Sequence, residues 1–186
     1  MVKLGFICEG VTDKLFVDSD NFKQFLLENN CILINAIFSG GNGNLLPKNI
    51  TKHINSLKDD KVDKIFILTD LDKDKCITKT KLRINASDDI STIVAVKEME
   101  AWFLSDSHLL SKIFGKPFEY QYPENDYEPY ETLRKLFVEN TGRGFGSKAK
   151  LTSIFISKGF SITNAAIHNN CPSAKYFVDK IIKLTQ

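Results

Sequence analysis

The chain has 186 residues, 42% of them apolar and 26% charged, with a net charge of +2. That length suits one domain, or one domain with an elaborated end, and is enough to bury an ordinary core. The composition excludes disordered, collagen-like and fibrous chains, while the near-neutral total neither requires nor excludes a phosphate-rich substrate, because acidic and basic clusters can occupy different faces.

Lys3 to Cys8 is a short apolar run stopped by Glu9-Gly10 and reads as a buried strand. Thr12 can cap a helix running to about Asn29, with Leu15, Phe16, Phe22, Phe25 and Leu26 at helical spacing. Cys31 to Phe38 reads as a second strand, ended by the glycine-rich loop Ser39 to Asn44. A helix from about Leu45 to Leu57 follows, with Pro47 tolerated in its first turn. Ile65 to Thr69 and Ser91 to Val96 are the third and fourth strands. Each strand is apolar without alternation, as expected when helices cover both faces. This order predicts an α/β fold with a mainly parallel four-stranded sheet and flanking helices.

The texture changes after Lys97. Helical patterns cover roughly Met99 to Phe114, Glu128 to Asn140, Lys148 to Ser157 and Ser173 to Leu184, with loops from Lys116 to Pro129 and from Thr141 to Gly146. The expected division is a core over residues 1–105 and a helical C-terminal extension over residues 106–186 packed on it.

Cys8, Cys31, Cys76 and Cys171 show no C-x-x-C pair, and His53, His108 and His168 are equally scattered, which argues against a zinc ribbon or finger. Cys8 and Cys31 read as small core residues. The first residues lack a signal-peptide pattern, and no stretch approaches the ~20 apolar residues of a membrane helix. The expectation is therefore a cytoplasmic protein with no membrane partner.

The chemistry gathers at strand ends. Glu9 ends the first strand, Asp70 and Asp72 end the third, and Glu98 and Glu100 follow the fourth. In a parallel sheet these carboxyl ends share one edge, where open α/β sheets bind ligands. Several carboxylates held together must bind protons or a cation. Oxygen donors favour Mg²⁺ or Mn²⁺ over zinc. In an extended segment, Asp70 and Asp72 would face the same way and serve one ion or two. Taken alone, Asp70-x-Asp72-x-Asp74 reads as a solvated turn. With Glu9-Gly10 in the same frame it reads as a site, Gly10 allowing a tight turn or close approach of a ligand. An EF-hand fails because Lys75 and Lys81 stand at its glycine and glutamate positions. A dehalogenase-type phosphatase would carry its D-x-D on the first strand, not the third. Lys148, Lys97, Lys150 and Arg143 are candidates for stabilising charge in a transition state, against the ordinary alternative of surface cations; Lys148 gains because it opens a helix after a flexible loop. Trp102 reads as a core residue. Phe118, Tyr120 and Tyr122 read as a packing stripe.

These motifs resemble the Toprim domain of topoisomerases, primases and OLD-family nucleases, a Rossmann-like fold. The resemblance rests on Cys8-Glu9-Gly10-Val11-Thr12-Asp13 and Ile67-Leu68-Thr69-Asp70-Leu71-Asp72-Lys73-Asp74. The segment Lys97-Glu98-Met99-Glu100-Ala101-Trp102-Phe103-Leu104-Ser105-Asp106 and the stretch Asn170 to Phe177 look like small stand-alone Toprim proteins, uncharacterised or linked to phage defence. The resemblance implies a Mg²⁺-dependent phosphodiester reaction on nucleic acid. Glu9 would be a metal ligand or general acid/base, Asp70 and Asp72 metal ligands, and Glu98 and Glu100 ligands for a second ion. It implies a nuclease or nuclease subunit, with a partner ATPase or other defence protein and a homo-oligomer among the possible assemblies. Alternatives are a small ribosomal-RNA maturase and a non-catalytic metal-binding sensor subunit.

Overall fold

The computed structural model describes residues 1–87 and 89–186. The chain runs β1 (Val2–Cys8), α1 (Val11–Val17), α2 (Asp20–Glu28), β2 (Cys31–Phe38), α3 (Pro47–Asp59), β3 (Lys64–Asp70), α4 (Ile77–Ile84) and β4 (Ile90–Ala95). Six α-helices follow: α5 (Glu100–Ser105), α6 (Ser107–Phe114), α7 (Pro129–Thr141), α8 (Lys148–Lys158), α9 (Ile162–Ala166) and α10 (Pro172–Ile182). The four strands are parallel in the order β2-β1-β3-β4. This is the expected α/β architecture. The connections from β1 run outward to β2 and then back across to β3, so the order reverses between β1 and β3. That reversal is where open sheets leave a crevice for ligands.

Alternation along each strand divides the core into two layers. Leu4, Phe6 and Cys8 of β1, Phe66 and Leu68 of β3, and Ile93 and Ala95 of β4 face one apolar cluster with α1, α2 and the helices after β4. Ile7, Ile65, Ile67 and Ile90 face the other, beneath α3 and α4. The first cluster runs from Leu4 to Ile181. Cys8 and Cys31 are fully buried in it, as their apolar runs implied. Trp102 is also buried there; its ring stacks on Phe177 at 5.7 Å, and its Nε1–H donates to Ser173 Oγ at 2.8 Å.

Several expectations need correction. The Thr12–Asn29 helix is two helices. Ser19 breaks it, accepting the Phe22 N–H at 3.3 Å while its hydroxyl donates to the Phe16 carbonyl at 2.6 Å. Gly10, not Thr12, is the first cap, with Asp13 bonding back to it. The Met99–Phe114 pattern also splits, because buried Asp106 caps α6 through the Leu109 N–H at 3.0 Å. Asp106 further accepts from Ser161 N–H and the Asn164 amide, which pins α9 to the same junction. The connection between β3 and β4 contains α4, whose brief Ile77, Thr80, Ile84 spacing is hidden among lysines. Edge strand β2 is not covered on both faces: Ile32, Ile34 and Phe38 are exposed. No described helix is long and apolar enough to cross a membrane.

Candidate metal centre

The acidic site forms where β1, β3 and β4 end. Backbone ladders fix its frame: Glu9 N–H donates to the Leu68 carbonyl at 2.9 Å, and Leu71 N–H to the Ala95 carbonyl at 2.8 Å. Each strand therefore delivers its acid to the same edge. The Thr69 hydroxyl donates to the Glu9 carboxylate. Met99 N–H donates to Asp70 Oδ1 at 2.9 Å, so the start of α5 helps position Asp70.

Asp70 sits where the charges of Glu9, Asp72 and Glu100 all act on it, and the Asp72 charge also acts on Glu9. Burial, then the charges of Asp13, Glu100, Glu9 and Asp72, push the Asp70 carboxyl well above the usual carboxylate range. Burial also raises Glu9, against the lowering effect of the Thr69 hydroxyl, and the Asp72 charge adds to the rise. Glu100 is 1% exposed and likewise raised by burial, with Lys148 opposing the shift.

Lys148 opens α8 and reaches across to the β4 end. Its Nζ lies 2.9 Å from Glu98 Oε1 and 3.7 Å from Glu100 Oε2. Burial disfavours its charge, but Glu100, Glu98 and Asp70 outweigh that and hold its pKa above the ordinary lysine value. Arg143 and Lys150 are exposed, and among the described residues neither forms an ion pair. Lys97 lies over the Tyr127 ring at 4.7 Å.

The extended D-x-D reading does not hold. β3 stops at Asp70, and Asp72 is exposed in a left-handed backbone conformation with φ of 49°. Its N–H donates to the Lys97 carbonyl at 3.0 Å, and Lys97 is itself left-handed with φ of 65°. Two non-glycine residues in this sparsely populated region thus face each other across the rim, a feature that clusters at functional sites. Asp74 serves structure: it accepts from the Thr80 hydroxyl at 2.9 Å and from Arg83 Nε at 3.1 Å, and Arg83 also bonds Asn42. The loop carrying Asn42 therefore joins Asp72 in lining a cavity of about 350 Å³ beside the site. Gly10 has extended backbone (φ −108°, ψ 165°), and an added Cβ would meet nothing nearer than 3.4 Å. The turn itself does not require glycine.

Asp13 escaped the sequence reading as a site residue, although it lies inside the Glu9-Gly10 motif. It is 2% exposed and accepts Gly10 N–H at 2.8 Å. Burial, opposed by that N–H and reinforced by the charges of Glu9 and Glu100, lifts its carboxyl to about 7. In sequence Asp13 reads as the N3 acid of a capping box, which by itself does not mark a site residue. Thr69 was missed too, as nothing in its apolar surroundings marks its hydroxyl.

Among the described residues, no three His, Cys, Asp or Glu side chains stand in a ligating arrangement. Two other observations bear on fit. Glu98 Oε2 and Glu100 Oε1 are buried without a hydrogen-bond partner among the described residues, and Asp13, Asp70, Glu98 and Glu100 share the Lys148 ammonium, while the Arg83 guanidinium acts on Glu9. An all-carboxylate donor set with orphaned oxygens and excess negative charge suits a hard divalent cation.

No family model matches the chain, and no curated protein matches it. Among solved structures, the C-terminal region of the Burkholderia pseudomallei OLD protein is similar at 14% identity, with a TM-score of 0.45 and coverage of 98% of this chain and 99% of that one. Likeness at this level bears on neither activity nor ligand.

Proposed function

We propose that this chain is a Mg²⁺- or Mn²⁺-dependent nuclease, or nuclease subunit, that acts on phosphodiester bonds of DNA or RNA. The observation that carries the reading is the gathering of Glu9, Asp13 and Glu100 around Asp70, with Lys148 paired to Glu98 and Glu100, at the ends of β1, β3 and β4. The Toprim-like motifs, with a phage-defence role among their associations, support it.

Glu9, Asp70 and Asp72 would hold the cation, with Glu98 and Glu100 available for a second. A bound divalent ion supplies polarisation of a phosphate oxygen and neutralises charge that builds on it. The protein's own groups do the rest. Met99 N–H keeps the Asp70 carboxylate oriented. The Thr69 hydroxyl holds Glu9 in place, either as a ligand or as the group that exchanges a proton with the attacking water. Lys148, held cationic by Glu98 and Glu100, presents an ammonium to charge developing on the phosphate.

The test is cleavage of plasmid, single-stranded DNA and RNA with Mg²⁺ or Mn²⁺, beside an Asp70→Ala control. Metal-dependent cutting by wild type and none by the variant is the expected result. No cutting of any substrate by wild type contradicts the reading.

A further inference from the structure

A second feature lies along the free edge of the sheet, next to the acidic site. A cavity of about 370 Å³ opens between α4, β4 and α10, within the roughly 300–1,000 Å³ of small-molecule pockets. Ile77, Val94, Val96 and Pro172 give it apolar walls. Tyr176 stands at the opening, 40% exposed. Lys81 and Lys180 lie over the Tyr176 ring at 4.6 and 5.5 Å, and Lys81 Nζ also donates to the tyrosine hydroxyl at 3.3 Å. Glu124, 8% exposed, adds a carboxylate to the lining; it is anchored by the Ser173 N–H at 2.8 Å.

Chain continuity links this cavity to the acids. Val96 lines the cavity, and Lys97 and Glu98 follow it directly, at most ~7 Å of extended chain from Val96 to Glu98. Lys97 of that stretch lies over the face of a second exposed tyrosine, Tyr127, from the loop before α7.

We propose that this cavity takes one nucleobase of a single-stranded nucleic acid whose neighbouring phosphate reaches the acidic site. The inference rests on the nuclease reading for its second half only. Each part of the occupant has its complement. An apolar slot with an aromatic edge suits the face of a base, and such stacking is insensitive to sequence. A carboxylate in the lining accepts from base N–H groups. Lysines at the mouth suit the flanking phosphates. An apolar peptide side chain would fill the slot but bring no anion to those lysines. A duplex keeps its bases stacked inside and cannot insert one without extrusion.

The test is fluorescence anisotropy on the full chain with short labelled single strands of DNA and RNA, the matching duplex, and a poly-glutamate peptide. It is run in EDTA and, in parallel, in Ca²⁺. Tyr176→Ala is expected to weaken single-strand binding about 5- to 150-fold, while Tyr176→Phe binds as wild type does. Ile77→Glu, which places a negative charge at the mouth, should also weaken it. Both positions are exposed, so all variants should melt as wild type does. Duplex affinity should be unchanged by Tyr176→Ala. Equal single-strand binding by wild type and Tyr176→Ala overturns the proposal. So does an equal loss on duplex, no single-strand binding in either buffer, or a peptide bound as tightly and with the same Tyr176 dependence. Tyr176-dependent binding by a chain that cuts nothing keeps the cavity and removes the nuclease reading; metal-dependent cutting with Tyr176-independent binding does the reverse.

Discussion

Lys148 Nζ stands 2.9 Å from Glu98 Oε1, so a residue opening α8 is tied to the acid two positions beyond Val96. The same ammonium reaches Glu100, which is almost fully buried. Lys148→Met removes it and leaves both carboxylates unpaired. We expect a loss of about 1–3 kcal/mol in metal-free buffer at neutral pH, the usual cost of stranding a buried polar or charged group. The deficit should shrink as the pH falls, because Glu100 already has a raised pKa and takes up a proton. Denaturant melts at two pH values check this.

Asp70→Asn separates binding of an ion from support of the fold. The asparagine Oδ1 can still accept the Met99 N–H, while a carboxylate crowded by Asp13, Glu100 and Glu9 loses its charge. In EDTA the variant should be more stable than wild type by about 0.5–2 kcal/mol, as is common when a functional site's strain is relieved. Mg²⁺ should raise the melting temperature of wild type and leave the variant's unchanged. Cleavage should fall on the order of 100-fold or more. Thermal melts with and without Mg²⁺, beside the cleavage assay, read both effects.

The metal-free protein should lose stability as pH rises through neutrality. Asp13 has a carboxyl raised from 3.8 to about 7 in the fold. A group with a higher folded than unfolded pKa binds protons more tightly when folded. Its contribution is fully present below 3.8 and is lost as pH rises through about 7. Asp70, Glu9 and Glu100 are raised in the same direction. Melts in EDTA across this window should decline with pH, and Asp13→Asn should flatten the decline.

Gly10→Ala tests whether the turn needs glycine. The extended backbone and the nearest contact of 3.4 Å allow a methyl group, so stability should stay within about 1 kcal/mol of wild type. A larger drop in the melt contradicts this account of the turn.

Much of the sheet was legible because buried parallel strands write themselves as unbroken apolar runs; β1, β3 and β4 are of this kind. The acids at their ends followed from parallel geometry. The helix breaks at Ser19 and Asp106 were harder: the apolar spacing continues across them, and only the capping side chain interrupts the backbone. Asp72 was misplaced because alternation predicts side-chain direction only while the strand lasts, and β3 ends two residues earlier. Asp13 looks like an ordinary helix-cap acid in sequence; its role emerges from the Glu9, Asp70 and Glu100 charges that the fold brings around it. The Lys148 contact joins residues 50 apart and depends on how the later helices return to the sheet edge.

The most direct measurement is anomalous scattering from crystals soaked in Mn²⁺. A manganese peak bounded by the carboxylates of Glu9, Asp70 and Asp72 is expected, absent from Asp70→Asn crystals soaked in the same way. A well-ordered soaked crystal with no peak there, or with its manganese bound elsewhere on the protein, would contradict that expectation.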